Sequence, residues 1–204
     1  FFQCWRGFVI RADKLKTRNM LIISRTPQTR TKTGSLVTLD QAKKQLHIES
    51  DFTEDDDYIT ELIEVATAQV EADINSDILD TENTLIVETN FQSLIQIQQS
   101  PLRLFSKLEY FDGTEWKTVA ATDYTTETYF HYFEVEINSQ FSCEQLRFTF
   151  KTGYTASTYP KLLRHAALLR ITDLFDNERQ GYLMNVTPNS AYYHLISKHV
   201  RKYW

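Results

Sequence analysis

The chain has 204 residues, 42% of them hydrophobic and 24% charged, a globular balance with apolar material for one sizeable domain or two small ones. Two cysteines, Cys4 and Cys143, exclude a disulfide framework and a four-ligand zinc site and make a reducing compartment the expectation, and no apolar run approaches the roughly 20 residues of a membrane helix. The net charge of −5 hides a segregation: residues 1–32 carry eight Lys or Arg against the single Asp13, whereas Glu49 to Glu88 carry fourteen acids and no Lys or Arg. Such blocks mark solvated faces or interaction arms, or a head-to-tail contact between copies with the basic end against the acidic body.

In chain order, FFQCWRGFVI is apolar but lacks the basic segment and small-residue cleavage site of a signal peptide. Met20 is one candidate start, which would make residues 1–19 an upstream extension or a processed arm. MLIISRTPQTRTKTGS, residues 20–35, reads as a short strand-like piece followed by a linker, an arm rather than core. Thr38 and Gln41 then form a capping box, and Leu39, Ala42 and Leu46 recur at helical spacing, predicting a helix over about 38–48. Thr53 is the expected cap of a second helix, about 53–77, with Glu54, Asp55 and Asp56 where the helix dipole favours anions. Ile59, Leu62, Ile63, Ala66, Val70 and Ile74 make its apolar stripe.

The period then changes to two. Leu85 and Val87, Ile95 and Ile97, Phe133, Val135 and Ile137, and Leu146, Phe148 and Phe150 alternate with polar residues, predicting five or six strands over about 84–151. Asp112-Gly113 between β-prone runs is a hairpin signal, so antiparallel pairing is expected. Gly153 supplies a positive φ at the strand exit, and Pro160 stands where a third helix, about 160–180, begins. The breadth of its apolar surface predicts burial against the 53–77 helix.

The fold class is therefore α+β. Two N-terminal helices and a long C-terminal helix form an antiparallel helical body, an antiparallel β region is inserted, and both termini are basic and extended. Residues 1–35 form the arm, 36–182 a single domain and 183–204 a tail.

The residues with chemical potential converge on no reaction. Lys151-Thr152-Gly153 spells a triplet of serine-acylating enzymes, but no serine has the required lysine three residues on. Asp55-Asp56-Asp57 point about 100° apart on a helix and cannot converge on one ion, and the alternation and glycine of a calcium loop are missing. Five scattered histidines include no His-x-x-x-His pair, and no glycine-rich phosphate loop is present. No catalytic residue, cofactor or metal is expected, and the chain reads as a non-enzyme. The basic arm and YYHLISKHVRKYW interleave cations with aromatics, as phosphate-binding arms do, but the acidic block repels DNA. Tyr192, Leu195, Ile196, His199, Val200 and Tyr203 instead give helical anchors for a partner's groove, with packing on the parent domain as the alternative.

The segment VTLDQAKKQLHIESDFTEDDDYITELIEVATAQVEADI resembles the opening helices of tailed-phage head–tail connector proteins, or head-completion adaptors. SPLRLFSKLEYFDGTEW with Asp123-Tyr124 is similar to that family's hairpin and Asp-Tyr element. FTFKTGYTASTYPKLLRHAALL is similar to its strand, Gly-Tyr turn, proline and closing helix, and HLISKHVRKYW to its terminus. Together these cover about residues 36–204. The departures are the basic N-terminal extension and an insertion around TTETYFHYFEVEINSQFSCEQ.

The resemblance implies an α+β subunit of a ring, typically of twelve copies, lying under the portal of the virion neck. Such a ring prolongs the channel through which genomic DNA passes without sequence-specific binding, and receives the stopper or tail-completion protein. It implies assembly in the host cytoplasm and no membrane partner. By resemblance, Tyr193, Leu195, Ile196, Val200, Arg201, Tyr203 and Trp204 dock the portal. Arg25, Arg30 and Lys32 are expected to form a subunit or DNA contact arm, and Asp55, Asp56, Asp57, Glu61 and Glu64 a channel-facing acidic face. The competing expectations are a nucleic-acid-binding accessory protein using its basic arms, and a sibling neck protein such as a stopper or tail-completion protein.

Overall fold

The structure, a computed structural model, describes residues 20–23, 29–88, 93–138, 144–180 and 190–201, with the backbone alone for 176–180. The first helix, α1 (Leu39–Gln45), begins as its capping box dictates. The Thr38 hydroxyl accepts from the Gln41 backbone N–H, and the Gln41 side chain accepts from that of Thr38. The second, α2 (Asp56–Ile74), starts later than predicted. Thr53 offers only its carbonyl, to the Asp56 N–H, and Asp55 occupies the cap position. What fixes this turn is Lys43, 3% exposed, which pairs with Asp56 at 2.5 Å and donates to the Phe52 carbonyl at 2.7 Å. Asn75 ends α2 in the left-handed conformation, as Asn tolerates.

Two sheets follow. One runs β2 (Thr29–Thr33), β3 (Asp80–Glu88), β9 (Gln145–Thr152), β5 (Leu102–Phe111), β6 (Trp116–Thr118) in spatial order. The other runs β1 (Met20–Ile23), β4 (Leu94–Ile97), β8 (Phe133–Ile137), β7 (Tyr124–Thr128). All pairings are antiparallel except β1 on β4. The alternation read from the sequence chooses the inner faces: Leu85, Ile95, Ile97, Phe133, Val135, Leu146, Phe148 and Phe150 are fully buried in a shared core between the sheets. The Asp112-Gly113 turn closes the β5–β6 hairpin, with the Asp112 carboxylate accepting from the backbone of Thr114 and Glu115 at 2.9 Å. Those bonds and Lys117 hold its pKa well below the usual carboxylate range.

Two expectations are corrected here. The described residues between 80 and 152 form seven strands instead of five or six, because the insertion around residue 130 is itself a β7–β8 hairpin. The described part of the N-terminal arm is also not free. Residues 20–23 and 29–33 each add a strand to one of the sheets.

The helices form a separate core. Ile59, Ile63, Ala66, Val70 and Ile74 of α2 pack with Leu163, Ala166, Ala167 and Ile171 of α3 (Lys161–Gln180), and with Tyr192 and Ile196 of α4 (Ser190–Ile196). Pro160 lies just before α3, its carbonyl accepting from Leu163. The chain passes between helical body and β sandwich three times, at 33–39, 74–80 and 152–161.

The second and third passages are bonded to each other and to the Ser100-Pro101 turn. Asp77 N–H donates to the Ser100 carbonyl, Gly153 N–H to that of Pro101, and Tyr154 N–H to that of Ile78. Gly153 has φ +85°, and a Cβ there would lie 1.9 Å from the Leu79 carbonyl oxygen. Both the angle and the space require glycine. Gly153→Ala is expected to destabilise the fold by about 3 kcal/mol or more, read as a fall in the urea midpoint with little change in slope.

Candidate docking surfaces

The C-terminal segment does not stand free. A seven-residue helix is too short to persist alone, so α4 exists because Tyr192 and Ile196, one turn apart, insert into the helical core at 0% and 2% exposure. The Tyr192 hydroxyl donates to Asp73 at 2.5 Å, and the Arg170 guanidinium lies 4.1 Å from its ring centre. Burial and the neighbouring carboxylate push the Tyr192 pKa up. Beyond α4, the Arg201 N–H donates to the Ile74 carbonyl at 2.9 Å, its guanidinium lies 4.6 Å from the Phe130 ring centre, and the residue is 6% exposed.

The residues expected to dock the portal are therefore placed as follows. Ile196 and Arg201 are buried in their own subunit, and Leu195 and Val200 pack against its core. Tyr193 remains exposed at 49%. Tyr203 and Trp204 lie outside the described residues. The spacing that suits a partner's groove equally suits the chain's own, and the helical body supplies that groove.

Two residues of the expected basic arm lie on a strand. Arg30 and Lys32 sit on β2 and pair with Asp77 and Glu71, while Arg25 lies outside the described residues. Glu71 also accepts from the Ile78 and Leu79 N–H groups at 2.8 and 3.1 Å. Asp77 accepts from the Thr152 hydroxyl at 2.5 Å, and that oxygen accepts from Asn83 at 2.7 Å. The signal for β2 was present in its alternation, Thr29-Arg30-Thr31-Lys32-Thr33, which places both cations on one side of a strand. The Lys-Thr-Gly triplet belongs to this junction too: Lys151 pairs with Glu82 at 3.6 Å, Thr152 is buried, and Gly153 turns the chain.

The acidic block divides. Asp56, Glu71, Asp73, Asp77, Asp80 and Glu82 have cationic partners in the chain. Asp55 caps α2. Asp57, Glu61 and Glu64 stay exposed, and at 100° per residue they share one face of α2. Beside them a groove of about 490 Å³ opens between α2 and the β2–α1 connection, lined by Val37, Leu39, Ile63, Ala68 and Leu79 among others. A second surface unforeseen in the sequence is the β7–β8 hairpin tip, where Tyr129 and Phe130 are 41% and 53% exposed. Tyr129 donates to Glu127, which pushes its pKa up to about 12. Among the described residues no group of three or more His, Cys, Asp or Glu side chains is arranged to hold a metal ion, and no helix is long and apolar enough to cross a membrane.

The arrangement is that of an α+β module whose described polar clusters tie elements together. Residues 36–102, from α1 to the start of β5, match the family model of the phage gp6-like head-tail connector protein, so the resemblance to head–tail connectors seen in the sequence is shown over that segment. The fold is shared with a chain from the "Neck of empty GTA particle computed with C6 symmetry", at TM-score 0.70 and 13% identity over 86% of this chain and 97% of that one. It is also shared with a chain from the "Virion of native gene transfer agent (GTA) particle", at TM-score 0.68 and 14% identity over the same shares. No curated protein matches the sequence.

His199 gives the C-terminal segment a pH dependence. Burial, then the nearby charges of Arg201 and Lys198, hold its pKa below 6.5. Below about pH 6.5 the unfolded chain therefore takes up a proton that the folded one refuses, and stability falls until the lowered folded value is passed. The urea midpoint of the wild type should drop between about pH 7.5 and 5.5 by more than that of His199→Asn.

Proposed function

We propose that the chain is a structural adaptor of a tailed-phage neck, located in the virion at the head–tail interface. It forms a ring under the portal, prolongs the DNA channel and joins the head to a stopper or tail-completion protein. The observation that carries this reading is the connector-family segment at 36–102, set in a fold that spans 97% of a chain from a particle neck. The C6 symmetry of that particle's neck is compatible with a ring whose copy number is a multiple of six, twelve among them. The role is structural: the triplet that suggested acylation chemistry is committed to the junction between helices and sheets. DNA passes through without sequence-specific contact.

Portal docking falls to the surface left over once Ile196 and Arg201 are placed inside, namely Tyr193 with the terminal Tyr203 and Trp204. The accessory nucleic-acid reading loses two of its cations, since Arg30 and Lys32 are neutralised by Asp77 and Glu71.

The test is electron microscopy of the purified chain with the portal protein of the same phage. Rings seated on portals are expected, and removing residues 202–204 together with Tyr193→Ala should weaken their association at least about tenfold while leaving the far-UV spectrum unchanged. A chain that stays monomeric and never joins a portal overturns the reading.

A further inference from the structure

The groove beside α2 combines two properties. Its wall is apolar through Val37, Leu39, Ile63 and Ala68, and its volume of about 490 Å³ lies within the roughly 300–1,000 Å³ that holds a compact ligand or a few large side chains. At its open side Lys32 is paired with Glu71, which leaves Glu64 as the unpaired charge among the described lining residues. Glu64 lines the groove, and Glu61 and Asp57 extend the same exposed face toward the start of α2. No ion pair among the described residues engages these three, although six other acids of the block are paired within the chain.

One segment of the sequence carries the complement. Residues 1–19, FFQCWRGFVIRADKLKTRN, hold three Phe, one Trp, Val9 and Ile10, and five cations against the single Asp13. Large apolar side chains suit the groove, and the cations suit its acidic flank. We propose that the groove and the Asp57–Glu61–Glu64 face receive residues 1–19 of a neighbouring copy. A ring is built from heterologous contacts, each joining two unlike patches of one chain, and a basic apolar arm with an acidic groove is such a pair. The occupant is therefore the next subunit, and the acidic face becomes a subunit contact instead of the channel wall. This inference rests on the ring reading above.

The test uses the full chain, with light-nitrogen and heavy-nitrogen preparations mixed before assembly and treated with a zero-length carbodiimide cross-linker. Linkages of Lys14 or Lys16 to Glu61 or Glu64 are expected between light and heavy chains. Reversing two cations that do not react, Arg6→Glu with Arg11→Glu, should reduce those mixed linkages at least about tenfold with the far-UV spectrum unchanged. Filling the groove by Ala68→Trp should do the same. Rings that carry no such linkage, or linkages of one isotope only, overturn the docking and leave the ring standing. Chains that remain monomeric without mixed linkages overturn both.

Discussion

Two buried carboxylates at the end of α2 hold the molecule together. Glu71 and Asp77 lie where the helical body meets the β sandwich, 7% and 8% exposed. Each has a cation from β2 on one side and chain-defining hydrogen bonds on the other. A buried carboxylate without partners would cost several kcal/mol, so these positions demand the strand that brings Arg30 and Lys32. Glu71 also fixes the chain's path out of α2, because Ile78 and Leu79 donate to it immediately before β3. The helical and β cores share few apolar side chains, and this polar joint sets how one is seated on the other.

That joint suits the adaptor role proposed above. A ring subunit of the kind proposed would carry load between neighbours above and below, and charge-assisted hydrogen bonds that tie β2, the end of α2 and Thr152 together hold the two cores in one relative position. The surfaces left outside the joint are then the ones free to meet other chains. They are the acidic face and groove of α2, the aromatic tip of the β7–β8 hairpin, and Tyr193 on α4.

Much of this was legible because local rules and tertiary demands agreed. The capping box at Thr38, the α2 stripe, the Asp112-Gly113 hairpin and the alternation of β8 and β9 all appear as read. The misreadings have one physical source, the placement of charge. Arg30 and Lys32 sit in a Thr-rich stretch that looks like a solvated arm, and their acidic partners are 39 and 47 residues away in the chain. Charge segregation along the sequence thus became charge pairing in space. The tail was ambiguous for a different reason: Tyr192, Leu195, Ile196 and Val200 announce a helix seeking a groove, but spacing does not say whose groove. The exposed hairpin tip was hidden because it falls in the insertion, where the resemblance carried no information.

The most direct measurement of the central claim compares Glu71→Ala with Lys32→Ala in urea unfolding. If Glu71 is the joint, its loss strands two buried N–H groups as well as the lysine and should cost about 3 kcal/mol or more, whereas Lys32→Ala, removing a partner that is 38% exposed, should cost less. Equal and small costs, each under about 1 kcal/mol, would contradict it.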